Sequence, residues 1–356
     1  MTSTIAIDAR LMSSANTGDT SYWRGLIRGL MSVESEFKFL LYSNTSKPED
    51  VPNHPQFEWI HLPGGSRLWS LWTFPRAAAR AGASLVHTQY NISPLVKNGL
   101  TTVHDVSFFV GPEWFQPRDR FLLQTQVPKS CARAKAVIAV SETTKREIEQ
   151  YIPAAKGKIS VTYNALGENI RPMSHERARE IVNGMGIVGR YVLTVGTRWP
   201  RKNMSLAVAA VDGLPDSLDC QLVITGKSGW GSQELGQRGR AVGYVSDEQL
   251  TALYQCAAVY LAPSFHEGFG IPVLEAFACG CPVICSPGGA LPEVAQDAAI
   301  VMPNFEADDW ALALGELLDD PVKRDQLRQK GTERLKDFSW TETAKRTLEV
   351  YRRALS

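Results

Sequence analysis

What the 356-residue sequence lacks narrows it first. It has no run of ~18 uninterrupted apolar residues, so no segment is expected to cross a bilayer as a helix. The opening residues pass from Met-Thr-Ser-Thr directly into Ile5-Ala6-Ile7-Asp8. No basic-then-apolar leader pattern precedes them, and a cytoplasmic location is expected. There are six cysteines, a number that suits free thiols. Cys279, Cys281 and Cys285 have no paired CxxC and no histidine partner, so they read as small core residues and no metal site is expected. No Asp-x-Asp pair stands at a strand end to hold Mg²⁺. The formal net charge is +1; the first 165 residues are mildly basic and the remainder mildly acidic, too weak a balance to argue for nucleic acid. The run QLVITGKS at 221–228 mimics a P-loop, but Gln221 stands where that motif needs its first glycine.

What is present is a chain long enough for two domains of ordinary size. Its hydrophobic content of 44% and mean hydropathy of −0.16 are those of a soluble globular protein. Short apolar runs, read as strands at 5–8, 38–42, 84–87, 101–106, 136–141 and 158–164, alternate with helical stretches, as a doubly wound α/β domain requires. Ser141 is placed to cap the helix that follows the fifth of these. The alternation restarts at 190 with YVLTVG, which marks a second domain.

Polar residues gather where such strands end, the positions at which open parallel sheets collect ligands. The turn 16–20, containing Gly18, follows the first strand, a phosphate-approach geometry resting on one glycine. His104 and Asp105 follow the strand at 101–103; the pair suits acid–base work, or the aspartate orients the ring. In the second domain, Gly196 closes a strand and TRWPRKN follows. The adjacent cations Arg201 and Lys202 at a helix start can neutralise a diphosphate while backbone N–H groups orient it, or they form a solvated basic turn. Residues 59–81 interleave Trp59, Trp69, Trp72 and Phe74 with Arg67, Arg76 and Arg80. That mixture suits a membrane interface or a lipid-linked acceptor, or else an amphipathic helix packing its aromatic face on its own domain.

The most informative stretch is 263–293, PSFHEGFGIPVLEAFACGCPVICSPGGALPE. A loop ending in Glu267-Gly268-Phe269-Gly270 leads into a helix, since Pro272 suits a first turn and Gly280 a helix end. Residues 282–285 read as a buried strand. Glu275 lies inside an apolar run, where an acid is costly to bury unless something hydrogen-bonds it. It can instead favour the positive helix end or pair locally. Gly268 and Gly270 let backbone approach a ligand, and the helix start behind them offers unpaired N–H groups.

The two glutamates with seven residues between them, together with both glycines, the proline and the small residues of HEGFGIPVLEAFACGCPVI, resemble the signature of the retaining, nucleotide-sugar-dependent glycosyltransferases of family 4. The resemblance covers nearly the whole chain and is strongest over 191–293. It implies the GT-B fold: two Rossmann-like, doubly wound α/β domains facing a central cleft. Residues 1–165 would bind the acceptor, 166–336 the nucleotide sugar, and 337–356 would form a C-terminal helix returning toward the first domain.

By the same resemblance, Glu267 faces the donor sugar, Glu275 binds the ribose hydroxyls, and His104 in VHDVSFF lies near the donor sugar. Gly18, Gly196, Gly268, Phe269 and Gly270 line the donor, Arg201 and Lys202 hold the diphosphate, and backbone around Val245 meets the base. Two positions depart from the family pattern. Asp19 replaces a glycine or aliphatic residue, and Thr197 replaces an arginine, so that Arg201 or Arg198 must substitute. The expected activity is metal-independent, retaining transfer of a hexose to a polysaccharide or lipid-linked acceptor. GDP-mannose is the first donor and UDP-glucose the second, each a substrate rather than a cofactor. An epimerase of the same fold and a non-catalytic nucleotide-sugar-binding partner are the alternatives. The enzyme is expected at the inner face of the membrane, with peripheral contact to anionic lipid.

Overall fold

Apolar runs become the strands of two all-parallel sheets in the computed structural model, which describes residues 3–13, 18–65, 68–231 and 234–356. The chain divides into two compact units: Met1–Pro112, Gln116–Gly167 and Ser339–Ser356 form the first, and Glu113–Phe115 with Glu168–Phe338 the second.

The first unit holds β1 (Thr4–Asp8), β2 (Lys38–Ser43), β3 (Phe57–His61), β4 (Leu85–Gln89), β5 (Gly99–Val103), β6 (Ala136–Ala139) and β7 (Ile159–Val161) in the order β3-β2-β1-β4-β5-β6-β7. Every pairing is parallel. The second holds β8 (Arg190–Val195), β9 (Cys220–Thr225), β10 (Gly239–Gly243), β11 (Val259–Ala262), β12 (Val283–Cys285) and β13 (Ile300–Val301) in the order β10-β9-β8-β11-β12-β13. These pairings are parallel too. In each sheet the winding reverses direction once, between β1 and β4 and between β8 and β11. That reversal opens a crevice at the carboxyl ends of the two strands, where loops diverge to opposite faces.

Parallel strands need crossover helices, and those helices supply the apolar faces that bury the sheets. In the second unit Val192, Leu222, Ile224, Leu261 and Ile284 pack under the helices Met204–Asp212 and Ala307–Asp319, around the fully buried Trp310. Caps set the helix starts: the Ser141 side chain accepts from the Thr144 N–H, and Ser246 with Gln249 forms a reciprocal capping box.

The helix Trp340–Leu355 belongs to the first unit. It lies against the helix Gly18–Met31, where a Cβ at Gly25 would meet the Trp340 ring at 2.0 Å and one at Gly29 its carbonyl oxygen at 2.3 Å. The Trp340 Nε1–H donates to the Leu166 carbonyl at 2.8 Å, and Arg352 makes a two-pronged pair with Glu36 at 2.8 and 2.9 Å.

The aromatic and basic segment at 59–81 is not one amphipathic helix. Trp59 lies in β3, a π-helical turn spans Trp69–Thr73 and an α-helix Phe74–Arg80. Trp69 and Phe74 are buried and stacked on one another at 5.2 Å, over Ala6, Leu40, Tyr42, Ala78 and Val86. Their stripe therefore serves the domain's own core. Leu68, Leu71 and Trp72 remain exposed, and the Arg76 guanidinium sits 4.8 Å over the Trp72 ring. Arg67, like Asn16 and Thr17 of the first turn, lies outside the described residues.

Candidate active site

The crevice of the second sheet is built from the loops that leave β8 and β11. After Val195 the chain passes Gly196, where a side chain would crowd Lys202 at 3.2 Å, and enters the 3-10 turn Pro200–Lys202. That turn presents Arg201 and Lys202 together. The loop after β11 carries Ser264, His266 and Glu267, and the backbone joins the two loops where the Phe265 N–H donates to the Arg201 carbonyl at 2.9 Å. The side chains then converge. Arg201 donates to Glu267 Oε2 at 2.9 Å and to the His266 carbonyl at 2.5 Å. Glu267 Oε1 accepts from Lys202 Nζ at 2.5 Å and from Ser264 Oγ at 2.6 Å.

Three largely buried charges in one knot leave a single positive charge in excess, because two cations surround one carboxylate. Burial alone would raise the Glu267 pKa; Lys202 and Arg201, with hydrogen bonds from Lys202 and Ser264, outweigh it and hold the carboxyl well below the usual carboxylate range. Glu267 is thus an anion fixed by short, charge-assisted bonds. Its backbone is fixed from the far side by the loop after β12. The Ala290 N–H donates to the Glu267 carbonyl at 2.8 Å, and Ser286 Oγ donates to the Ser264 carbonyl at 2.5 Å. Gly289 has φ +64°, and a Cβ there would meet the Glu267 carbonyl oxygen at 2.2 Å, so only glycine permits this approach.

Glu275 comes from the helix Ile271–Ala278 and is 7% exposed. Its neighbour is neutral: the Tyr254 hydroxyl donates to Oε2 at 3.0 Å. Burial pushes the Glu275 carboxyl up to about 7, against the lowering effects of the Tyr254 hydrogen bond and of Lys202. The two glutamates of one motif are therefore held in opposite states of readiness, one locked as an anion and the other poised to lose its proton near neutrality. Gly270 caps the start of that helix. The Phe269 side chain is buried edge-on to Phe338 at 5.5 Å, so what it offers a ligand is backbone. Val245 stands just beyond β10, next to the exposed Tyr244, with Lys227 Nζ 5.5 Å over the Tyr244 ring.

The first unit places His104 directly after β5. Its ring lies edge-on to Tyr22 at 4.7 Å, and Thr144 Oγ1 donates to its carbonyl at 3.1 Å. The buried Nε2 has no hydrogen-bond partner among the described residues, and Asp19 Oδ1 stands 3.9 Å away. Burial lowers the His104 pKa, with Asp19 and Asp105 opposing that shift. Asp105 caps the next turn: its Oδ1 accepts from the Ser107 N–H at 2.9 Å and from the Ser107 hydroxyl. Asp19 thus joins Asp105 as a carboxylate acting on His104. Gly18 opens the helix Gly18–Met31, with open space where a Cβ would stand.

Sequence reading named Arg201, Lys202, Glu267 and Glu275 but missed Ser264, Ser286 and Tyr254. Ser264, three residues before Glu267, carries a faint local signal. Tyr254 carries none, because its tie to Glu275 forms only when two helices pack.

Comparison with known proteins gives this geometry its setting. The chain matches the family described as Glycosyl transferases group 1 over residues 188–334 and Glycosyltransferase Family 4 over residues 21–166. It is 32% identical over 270 residues to the O-antigen chain mannosyltransferase B of Escherichia coli, covering 72% of this chain and 71% of that one. It is 30% identical over 270 residues to the O-antigen chain mannosyltransferase RfbU of Salmonella typhimurium, covering 72% of each. Among solved structures, the sucrose-phosphate synthase of Thermosynechococcus elongatus superposes with a TM-score of 0.76 at 22% identity over 98% of both chains. WaaG, a glycosyltransferase involved in lipopolysaccharide biosynthesis, superposes with a TM-score of 0.74 at 15% identity over 98% of this chain and 99% of its own, and Anabaena HepE with a TM-score of 0.73 at 15% identity over the same shares. Two parallel Rossmann-like sheets with these neighbours define the GT-B fold. With both family matches and the mannosyltransferase relatives, the chain belongs to the family 4 glycosyltransferases.

Proposed function

We propose that this enzyme is a retaining, metal-independent hexosyltransferase that moves mannose from GDP-mannose to a growing polysaccharide or another lipid-linked or free glycan acceptor, with UDP-glucose as the second donor candidate. The observation that carries the reading is the Arg201–Lys202–Glu267 knot at the reversal point of the second sheet. Departure of a nucleoside diphosphate from an anomeric carbon develops negative charge on the leaving oxygen and positive charge on the sugar. Arg201 and Lys202 supply the first countercharge, and Glu267, held ionised, supplies the second. Glu275 accepts from the ribose hydroxyls once it has lost its proton, and Gly196, Gly268, Phe269 and Gly270 offer backbone to the donor. Gly18 and His104 Nε2 are likewise assigned to the donor, and backbone at Val245 to its base. No side chain here is assigned as a nucleophile, so the donor's own phosphate oxygen takes the acceptor proton on the face where the new bond forms.

Preference for mannose rests on the O-antigen mannosyltransferase relatives; glucose stands second because a GT-B neighbour, HepE of Anabaena, is known with UDP-glucose. No helix among the described residues is long and apolar enough to cross a membrane. The exposed Leu68, Leu71 and Trp72 beside Arg76 are proposed to touch anionic lipid peripherally at the inner face of the membrane. The test is incubation of the purified enzyme with each nucleotide sugar and a lipid-linked glycan acceptor. Release of GDP with an α-anomeric product from an α-linked donor supports the reading. An inverted product, or a donor whose sugar changes configuration without transfer, defeats it.

A further inference from the structure

We infer that Tyr351 and His87 are positioning residues for His104, acting through Thr102 and Tyr22; the inference rests on the assignment of His104 to the donor sugar. Four polar side chains from four elements form a continuous hydrogen-bonded chain in the first unit. Tyr351, on the helix Trp340–Leu355, meets His87 Nδ1 of β4 at 2.7 Å. His87 Nε2 meets Thr102 Oγ1 of β5 at 2.9 Å, and Thr102 Oγ1 meets the Tyr22 hydroxyl at 2.8 Å. All four residues are fully buried. The Tyr22 ring then stands edge-on to the His104 ring, interplanar angle 86°.

Apolar side chains could fill this space without the cost of drying out two phenols, a threonine and an imidazole. A polar chain costs about 1–3 kcal/mol for every member left unpaired, and what it supplies in return is a single arrangement. Burial drives the His87 pKa down to about 3, so the ring is neutral at working pH. A neutral imidazole donates through one nitrogen and accepts through the other. Tyr351 and Thr102 therefore take opposite roles, and the orientation of each hydroxyl is tied to the next. The edge contact of Trp23 with His87 at 4.9 Å, and the hydrogen bond of Trp23 Nε1 to Gln89 Oε1 at 2.8 Å, hold the middle of the chain in place.

His104 needs such a support. Its carbonyl is held by Thr144, but Nε2 has no hydrogen-bond partner among the described residues, Asp19 Oδ1 standing 3.9 Å away. The direction in which Nε2 points is thus set by the rings packed on it, Tyr22 at 4.7 Å and Tyr90 at 5.9 Å. Tyr22 is anchored through its hydroxyl to Thr102. Loss of the hydroxyl at the far end, on Tyr351, frees His87 to turn and slackens Thr102, Tyr22 and the imidazole in sequence.

The test is a double-mutant cycle of Tyr351→Phe with His104→Ala, reading kcat and KM for GDP release from GDP-mannose well below the melting temperature. The expected result is a loss in kcat on the order of ten-fold for Tyr351→Phe with donor KM little changed, because a misplaced group weakens the reaction more than donor binding. In the His104→Ala background the same change has no further effect. An equal loss in both backgrounds shows a general packing role and overturns the inference. If His104→Ala alone leaves kcat unchanged, the assignment of His104 fails and the inference fails with it, an outcome distinct from the previous one. Should Tyr351→Phe not fold, Thr102→Val removes the central hydroxyl at constant shape and enters the same cycle with the same two outcomes.

Discussion

Lys202 Nζ and Glu267 Oε1 lie 2.5 Å apart, and Arg201 binds the second carboxylate oxygen of the same glutamate. An ion pair this close keeps both lysine and glutamate in place before any donor arrives, so little reorganisation is needed when charge develops.

Removing the anion from this knot separates its structural and chemical parts. Glu267→Gln keeps the shape but strands two cations, each with about 15% of its side chain exposed. A stability loss of about 2 kcal/mol is expected, less than for a fully buried pair. Transfer is expected to fall on the order of 100-fold, while GDP binding is retained. Lys202→Met should do the reverse to the ligand: GDP binds about 10-fold more weakly, with the loss of one charge-assisted bond. Calorimetric titration with GDP alongside initial rates checks both.

The two motif glutamates bend the stability curve in opposite directions. Glu275 rises from 4.5 to about 7 on folding, so its contribution is fully present below 4.5 and is lost as pH rises through 7. Glu267 is lowered on folding; its contribution is present above the ordinary carboxylate value and is lost as pH falls below it. Glu275→Gln should therefore abolish the decline between pH 4.5 and 7 and leave the variant more stable than the parent at pH 8, by about 3 kcal/mol at most. Urea unfolding at a series of pH values measures this, and an unchanged slope in the variant would contradict it.

Gly25 is where the closing helix touches the first. A methyl group at that position meets the Trp340 ring at 2.0 Å, and Gly25→Ala is expected to cost about 1–3 kcal/mol through overpacking. The released helix should become the first site of cleavage in limited proteolysis, mapped by mass spectrometry.

Contact with lipid is checked by vesicle flotation. The enzyme should float with phosphatidylglycerol vesicles at low salt and be released by high salt, since screening weakens the cationic share of the attraction. Replacing Leu71 and Trp72 with serine should abolish flotation without lowering the melting temperature, because both side chains are exposed.

Much of this molecule was legible in its sequence where one local pattern decides the outcome. The strands at 190–195 and 259–262, the helix after Gly270 and the cap at Ser141 follow from short-range rules, and the motif spacing singled out Glu267 and Glu275. The segment at 59–81 was not legible, because interleaved aromatic and basic residues fit a membrane face and a core face equally. Only packing against Tyr42 and Val86 sends Trp69 and Phe74 inward. The helix Pro117–Arg133 was hidden by Pro128 in its interior, which a pattern reader takes as a break. The approach of Asp19 to His104 carries no local signal, because the two residues lie on different elements. The chain from Tyr351 to Tyr22 joins residues hundreds of positions apart, and no local signal announces it.

The placement of the helix Trp340–Leu355 bears on biogenesis. Because it follows the whole second unit in the chain yet fills the first unit's core with Leu348, Val350 and Tyr351, the ribosome must deliver the later unit before the earlier one can close. Until residues 340–355 emerge, the first unit lacks part of its core, and the last helix acts as a latch on assembly order.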